Sequence, residues 1–201
     1  MSKIVLTDCD GVLLNWAFAF NMWMKKMGHD PIEENQIGAA YCATELYDIS
    51  KENKQRLITQ FNESASIGFL PALRDAVQYV GHLHHKHGIE FHVITSLSHD
   101  PSAQELRKMN LNKLFGNVFE KIIFLGTGED KDAVLNQYAG TDYIWIEDKW
   151  ENAVTGAEIG LRSLVMEHGH NMEMRHPNIE HVKDWEDITL KIIQHYCAAE
   201  L

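Results

Sequence analysis

Short apolar runs at residues 3–6, 91–94, 122–125, 143–146 and 163–166 are separated by longer stretches whose apolar positions recur every three or four residues. The runs have strand length and the stretches helix length, so the alternation predicts a parallel sheet with helices on both faces, a three-layer Rossmann-like α/β fold. Helix starts are marked too. Asp100-Pro101 supplies a cap and a first-turn proline before AQELRKMNL, and Asp184 precedes WEDITLKIIQHY, where Ile188, Ile192 and Ile193 repeat at helical spacing.

Residues 15–68 break this pattern: NWAFAFNMWMKKM and, behind Ser50, KENKQRLITQF read as helices, with no convincing strand. The segment lies between the first two predicted strands. It is therefore expected to be a small helical cap inserted after strand one, leaving residues 1–14 and 69–201 as the α/β core.

Composition narrows the class. A chain of 201 residues with 45% hydrophobic and 23% charged positions fits one folded domain with an insertion. Eighteen Lys and Arg against 29 Asp and Glu give a formal charge of −11, which argues against a broad grip on a nucleic-acid polymer. Cys9, Cys42 and Cys197 are far apart and form no CxxC, so neither a disulfide framework nor a zinc site is indicated. With no secretory leader pattern and no membrane-length apolar run, a cytoplasmic protein without membrane contact is expected. The oligomeric state stays open, a dimer included.

The candidate chemistry begins in IVLTDCDGVLLNW, where Asp8 and Asp10 follow the first strand and Gly11 follows them. Ligands of open α/β sheets bind beyond the carboxyl ends of the strands. Strand alternation would put residues 8 and 10 on one side, and two carboxylates there repel unless a proton or a cation intervenes. A hard cation with oxygen ligands, Mg²⁺, answers that need, while Gly11 gives the backbone room to turn. Taken alone, DxDG reads equally well as an acidic turn. Three more strand ends tip the balance: one stops at Thr95-Ser96, one leads through GTGEDK to Lys131, and one stops at Glu147-Asp148. Each of these could separately be a helix cap or a solvated first-turn residue, but together they line one edge of the sheet.

DCDGVL at 8–13, the apolar strand ending at Thr95, Lys131, and IEDKWENA at 146–153 occur in the motif order of the haloacid dehalogenase superfamily of phosphohydrolases, which the chain resembles over nearly its whole length. ITSLS, IEDK and GFLPALRDAV are further similar to its 5'(3')-deoxyribonucleotidase branch. The resemblance implies that Asp8 attacks phosphorus to give an aspartyl-phosphate and that Asp10 serves as acid and base. An aspartate at this second position marks the phosphatases of the family rather than its dehalogenases. Mg²⁺ would be held by Asp8, the backbone carbonyl of Asp10 and Asp148, with Glu147 in support. Thr95, Ser96, Lys131 and the amides near Gly11 would bind phosphate. Two departures stand out: Glu147 occupies a position that is often aspartate, and GTGEDK is unlike the nucleotidase loop.

The function expected from this resemblance is Mg²⁺-dependent hydrolysis of a small phosphomonoester, a (deoxy)nucleoside monophosphate first. Sugar phosphates and phosphoglycolate are the alternative substrates, phosphoryl transfer an alternative reaction, and non-catalytic binding of a phosphorylated ligand or partner an alternative role. Trp16, Phe18, Phe20, Trp23, Tyr41 and Tyr47 lie in the insertion. Helical spacing assigns most of them to the cap's own core, with Trp16 and Phe20 the first candidates to face a substrate. His82, His84, His85 and His87 read as exposed at a helix end, and His168, His170, His176 and His181 as a polar loop from which no spacing selects a site residue.

Overall fold

The computed structural model describes residues 3–32 and 46–197; Tyr41 and Cys42 lie outside them. The chain begins with β1 (Ile4–Thr7), followed by α1 (Trp16–Lys26), α2 (Lys51–Asn62), a 3₁₀ turn (Ala65–Phe69) and α3 (Ala76–His87). Next come β2 (Glu90–Ser96), α4 (Pro101–Phe115), β3 (Phe119–Leu125), the short α5 (Asp132–Leu135) and β4 (Ile144–Glu147). The chain continues through α6 (Trp150–Glu158), β5 (Arg162–Met166), β6 (Ile179–Val182) and α7 (Trp185–Tyr196). All neighbouring strands are parallel, in the order β3-β2-β1-β4-β5-β6. This is the expected α/β class.

Why the strands read as apolar runs is visible in the core. Val5, Val93, Ile144 and Ile146 pack on one face with Phe91, Leu164, Trp185 and Ile188, while Leu6, Ile94 and Trp145 pack on the other with Leu135 and Leu161. Successive residues of one strand are thus buried on opposite faces, as a parallel sheet covered on both sides requires. The strand missing from the sequence reading is β6. It is a four-residue edge strand, Ile-Glu-His-Val, with only its first and last residues buried, so it shows no apolar run.

The helix starts follow the capping chemistry. The Ala103 amide donates to Asp100 Oδ1 at 2.8 Å, the Asp187 amide to Asp184 Oδ1 at 2.9 Å, and the Asn53 amide to Ser50 Oγ at 3.3 Å. Each such cap contributes about 1 kcal/mol. Of the four histidines of α3 only His85 is exposed; His84 Nδ1 lies 2.9 Å from the Ile89 carbonyl, which anchors the helix end instead.

Within residues 15–68 the described part is helical. The outgoing and returning chain lie side by side, the Asn15 amide donating to the Pro71 carbonyl at 2.9 Å and the Leu73 amide to the Leu13 carbonyl at 2.8 Å. Phe20, Met24 and Phe61 belong to the same buried cluster as Val5 and Trp185, so these helices share the core beneath β1. Among the described residues no helix is long and apolar enough to cross a membrane.

Candidate active site

From β1 the chain builds outward through β2 and β3 on one side and through β4, β5 and β6 on the other. The carboxyl ends of β1 and β4 therefore flank the switch-point crevice of the sheet. Asp8 directly follows β1, Glu147 ends β4 and Asp148 comes next. Lys131, just before α5, is 2% exposed and places Nζ 2.8 Å from both Asp8 Oδ1 and Glu147 Oε2, over the Trp145 ring. Glu147 is fully saturated by donors. Besides Lys131 it accepts from Asn152 Nδ2 at 3.0 Å and from the Asp148 and Lys149 amides at 3.1 Å each. Its longer side chain thus reaches back to orient the lysine and the loop after β4.

Burial works against ionisation of Glu147, but the charge of Lys131 and hydrogen bonds from Asp8, Lys131 and the Lys149 amide outweigh it and hold its carboxyl below the usual range. Asp8 and Asp148 move the other way. Burial first, then repulsion from Glu147, pushes Asp8 well above the carboxylate range; burial, Glu147 and Asp8 do the same to Asp148. Burial likewise disfavours the Lys131 ammonium, and the two carboxylates more than restore it. Asp8, Glu147 and Asp148 bring oxygens within 4.8 Å of one another. One ammonium against three carboxylates leaves negative charge that an oxygen-seeking divalent cation would relieve, so the residues fit such an ion.

Gly11 is required here. It has φ +78°, and a Cβ on it would lie 2.1 Å from Asp148 Oδ2, so only glycine lets the turn after β1 approach the second acidic loop. Thr95 is 1% exposed and its Oγ1 has no partner among the described residues, a buried hydroxyl left available to a ligand. Ser96 is already committed, its Oγ donating to the Glu129 carbonyl at 2.8 Å.

Asp10 takes a different course from Asp8. Because β1 ends at Thr7 and the chain turns through Gly11, alternation does not carry on to residue 10. Its carboxylate receives Arg107 of α4 in a fork, Nη1 to Oδ1 at 2.7 Å and Nη2 to Oδ2 at 3.2 Å. The Arg107 Nη1 also lies 3.0 Å from Cys9 Sγ. Burial pushes the Cys9 thiol up to about 12, Arg107 acting in the opposite direction. Iodoacetamide at about pH 8 is therefore expected to spare Cys9 in the folded protein and to modify it in denaturant, as read by peptide mapping. Equal labelling in both states would contradict that burial.

Of the aromatic candidates, Phe20 is fully buried, stacked on Trp16 at 4.7 Å and edge-on to Phe61 at 5.4 Å, which leaves it no face for a substrate. Trp16 is half-buried and its Nε1 donates to Asn62 Oδ1 at 2.9 Å. Asn62 Nδ2 in turn donates to the Leu97 carbonyl at 3.0 Å, and Ser98 Oγ donates to Glu63 Oε1 at 2.7 Å, so the end of α2 is tied to the loop after Thr95. The polar loop after β5, from which the sequence selects no residue, also joins the site through His168 and Asn171. His168 Nε2 meets the Gly11 carbonyl at 2.7 Å, and Asn171 Nδ2 donates to the Asp148 and Met166 carbonyls at 2.8 Å each. This loop clamps the two acidic turns together, and its signal in the sequence is only a polar HGHN.

No protein-family model matches the chain. A curated relative, an uncharacterized 32.4 kDa protein from the Gp30-rIII intergenic region of Enterobacteria phage T4, is 26% identical over 141 residues, 68% of this chain and 50% of its own. The chain spans about half the length of that relative. Among solved structures, the haloacid dehalogenase-like hydrolase SP0104 of Streptococcus pneumoniae superposes with a TM-score of 0.61 at 14% identity, over 97% of this chain and 98% of that one. The L-2-haloacid dehalogenase of Xanthobacter autotrophicus gives 0.59 at 9% identity, over 96% and 98%. The D,D-heptose 1,7-bisphosphate phosphatase of Burkholderia thailandensis gives 0.57 at 12% identity, over 96% and 99%. The chain thus has the haloacid dehalogenase-like fold. That fold carries both dehalogenases and phosphatases, so the reaction depends on the residues of the site rather than on the fold.

Proposed function

We propose that the protein is a metal-dependent phosphohydrolase that works through an aspartyl-phosphate on Asp8. The observation that carries this reading is the Asp8–Lys131–Glu147 chain with Asp148 beside it at the switch point. Asp8 Oδ1 is fixed by the Cys9 amide at 2.6 Å and by Lys131, which leaves Oδ2 for attack on phosphorus. Attack expels the leaving oxygen, Asp10 protonates it, and Asp10 then takes a proton from the water that cleaves the acyl phosphate. Lys131 and the Thr95 hydroxyl offer positive charge and a donor to the equatorial oxygens. Asp8, Asp148 and the Asp10 carbonyl would hold Mg²⁺, which supplies Lewis-acid neutralisation of the transferring group. Glu147, with its oxygens taken up by four donors, orients Lys131 rather than holding the ion.

The substrate is a small phosphomonoester. A (deoxy)nucleoside monophosphate is the specific form, resting on the sequence resemblance; burial of Phe20 leaves Trp16 as the stacking candidate. Phosphate release from nucleoside monophosphates, sugar phosphates and phosphoglycolate, with and without Mg²⁺, tests the reading. Metal-dependent release supports it and ranks the substrates, and no release from any of them counts against it.

The metal also has a stability signature. The raised Asp8 and Asp148 values mean that the folded state holds their protons more tightly than the unfolded chain does. Their contribution is therefore full at pH below the unfolded carboxylate range and is lost as pH rises through the folded values. Mg²⁺ at about a hundredfold excess over its Kd is expected to add about 2.7 kcal/mol, roughly 5–10 °C in Tm for a chain of this size. The gain should be larger at about pH 7.5 than at about pH 5, because binding displaces protons, and should vanish in Asp148→Asn. A shift of the same size in Asp148→Asn would exclude Asp148 as a ligand.

A further inference from the structure

Arg107 is 0% exposed on the core-facing side of α4, between Ala103 and Leu111, which are buried on the same face. Desolvating a guanidinium is costly, and a methionine or leucine would fill the same volume without that cost. Among the described residues the hydrogen bonds of Arg107 go to Asp10 and Cys9 alone, and its Nε has no partner. Charge at this place is therefore poorly explained by packing. Asp10, by contrast, keeps 22% of its side chain open. The helix that carries Arg107 is also pinned to the loops around the site: Gln104 Nε2 donates to the Ser98 carbonyl at 2.9 Å and Asn110 Nδ2 to the Leu70 carbonyl at 3.0 Å.

We infer that Arg107 is a positioning residue, a buried fork that fixes the direction in which the Asp10 carboxylate exchanges protons with the leaving group and the attacking water. A carboxylate has about four lone-pair sites, two on each oxygen, and a bidentate arginine occupies one on each. The two that remain have fixed directions in the carboxylate plane. A lysine cannot make the fork, being a single point donor on a flexible stem. The inference rests on the phosphohydrolase reading above and deepens it by naming what aims its acid and base.

The test compares wild type, Arg107→Lys and Arg107→Met by kcat/KM on two kinds of substrate: alkyl phosphates, whose leaving group needs a proton, and 4-nitrophenyl phosphate, whose leaving group does not. Misdirecting a catalytic group by about 1 Å costs roughly 10²-fold. Arg107→Lys is expected to lose about that factor on alkyl phosphates and only a few-fold on 4-nitrophenyl phosphate. A general loosening of the site would depress both alike. In an Asp10→Asn background, adding Arg107→Lys should cost nothing further, since the group it aims is gone. Circular dichroism and thermal melts exclude misfolding as the cause, and Arg107→Lys serves where Arg107→Met does not fold. Equal losses on the two substrates, full activity of Arg107→Lys, or additive losses with Asp10→Asn would overturn the role of Arg107 alone. Absence of wild-type turnover would overturn it together with the phosphohydrolase reading.

Discussion

Asp8→Asn is expected to lower phosphate release by at least about 10⁴-fold while the protein stays folded. The loss follows from chemistry rather than structure. An amide does not attack phosphorus, and the neighbouring carboxylates are engaged: Glu147 is held by Lys131, Asn152 and two amides, Asp10 is held in the Arg107 fork, and Asp148 is the proposed metal ligand. The fold should survive because the amide oxygen can still accept from Cys9 and because Lys131 keeps Glu147. Steady-state kinetics with thermal melts checks both halves. Substantial activity in a folded Asp8→Asn protein would move the nucleophile elsewhere.

Lys131→Met should damage fold and chemistry together. The substitution removes the ammonium that lies 2.8 Å from both Asp8 and Glu147, leaving buried carboxylates beside Asp148 without that cation. Breaking a buried pair from one side costs about 3–5 kcal/mol, roughly 6–20 °C in Tm at this chain length. Turnover should fall as well, since the same ammonium is the fixed charge proposed for the phosphoryl oxygens. Glu147→Gln keeps the hydrogen-bonding shape and should cost less. Denaturant titration of both variants reads the contrast. A Lys131→Met protein within about 0.5 kcal/mol of wild type would mean that the lysine is not the electrostatic keystone of the site.

What the sequence made legible follows from where each side chain's direction is set. Asp8, Thr95, Lys131, Glu147 and Asp148 stand at or just beyond strand ends, and in a parallel sheet that position already places them at the crevice. Arg107 was not legible because ELRKMN looks like a solvated helix face; the clue was its i+4 spacing from Ala103 and i−4 from Leu111, the inward stripe of α4. Asn171, His168 and Asn62 act from loops and helix ends, whose aim depends on tertiary packing that local periodicity does not encode. Asp10 parted from Asp8 because the strand stops at Thr7 and the Gly11 turn intervenes. Strand β6 escaped notice because a short edge strand buries too few residues to leave an apolar run.

The proposed intermediate is covalent, and the most direct measurement is to quench the wild-type protein during turnover and reduce it with borohydride, which converts an acyl phosphate to an alcohol. Mass spectrometry of the peptide carrying residue 8 is expected to show homoserine there, at a level that rises with substrate and is absent from Asp8→Asn. Sustained phosphate release with residue 8 left wholly as aspartate would contradict the account.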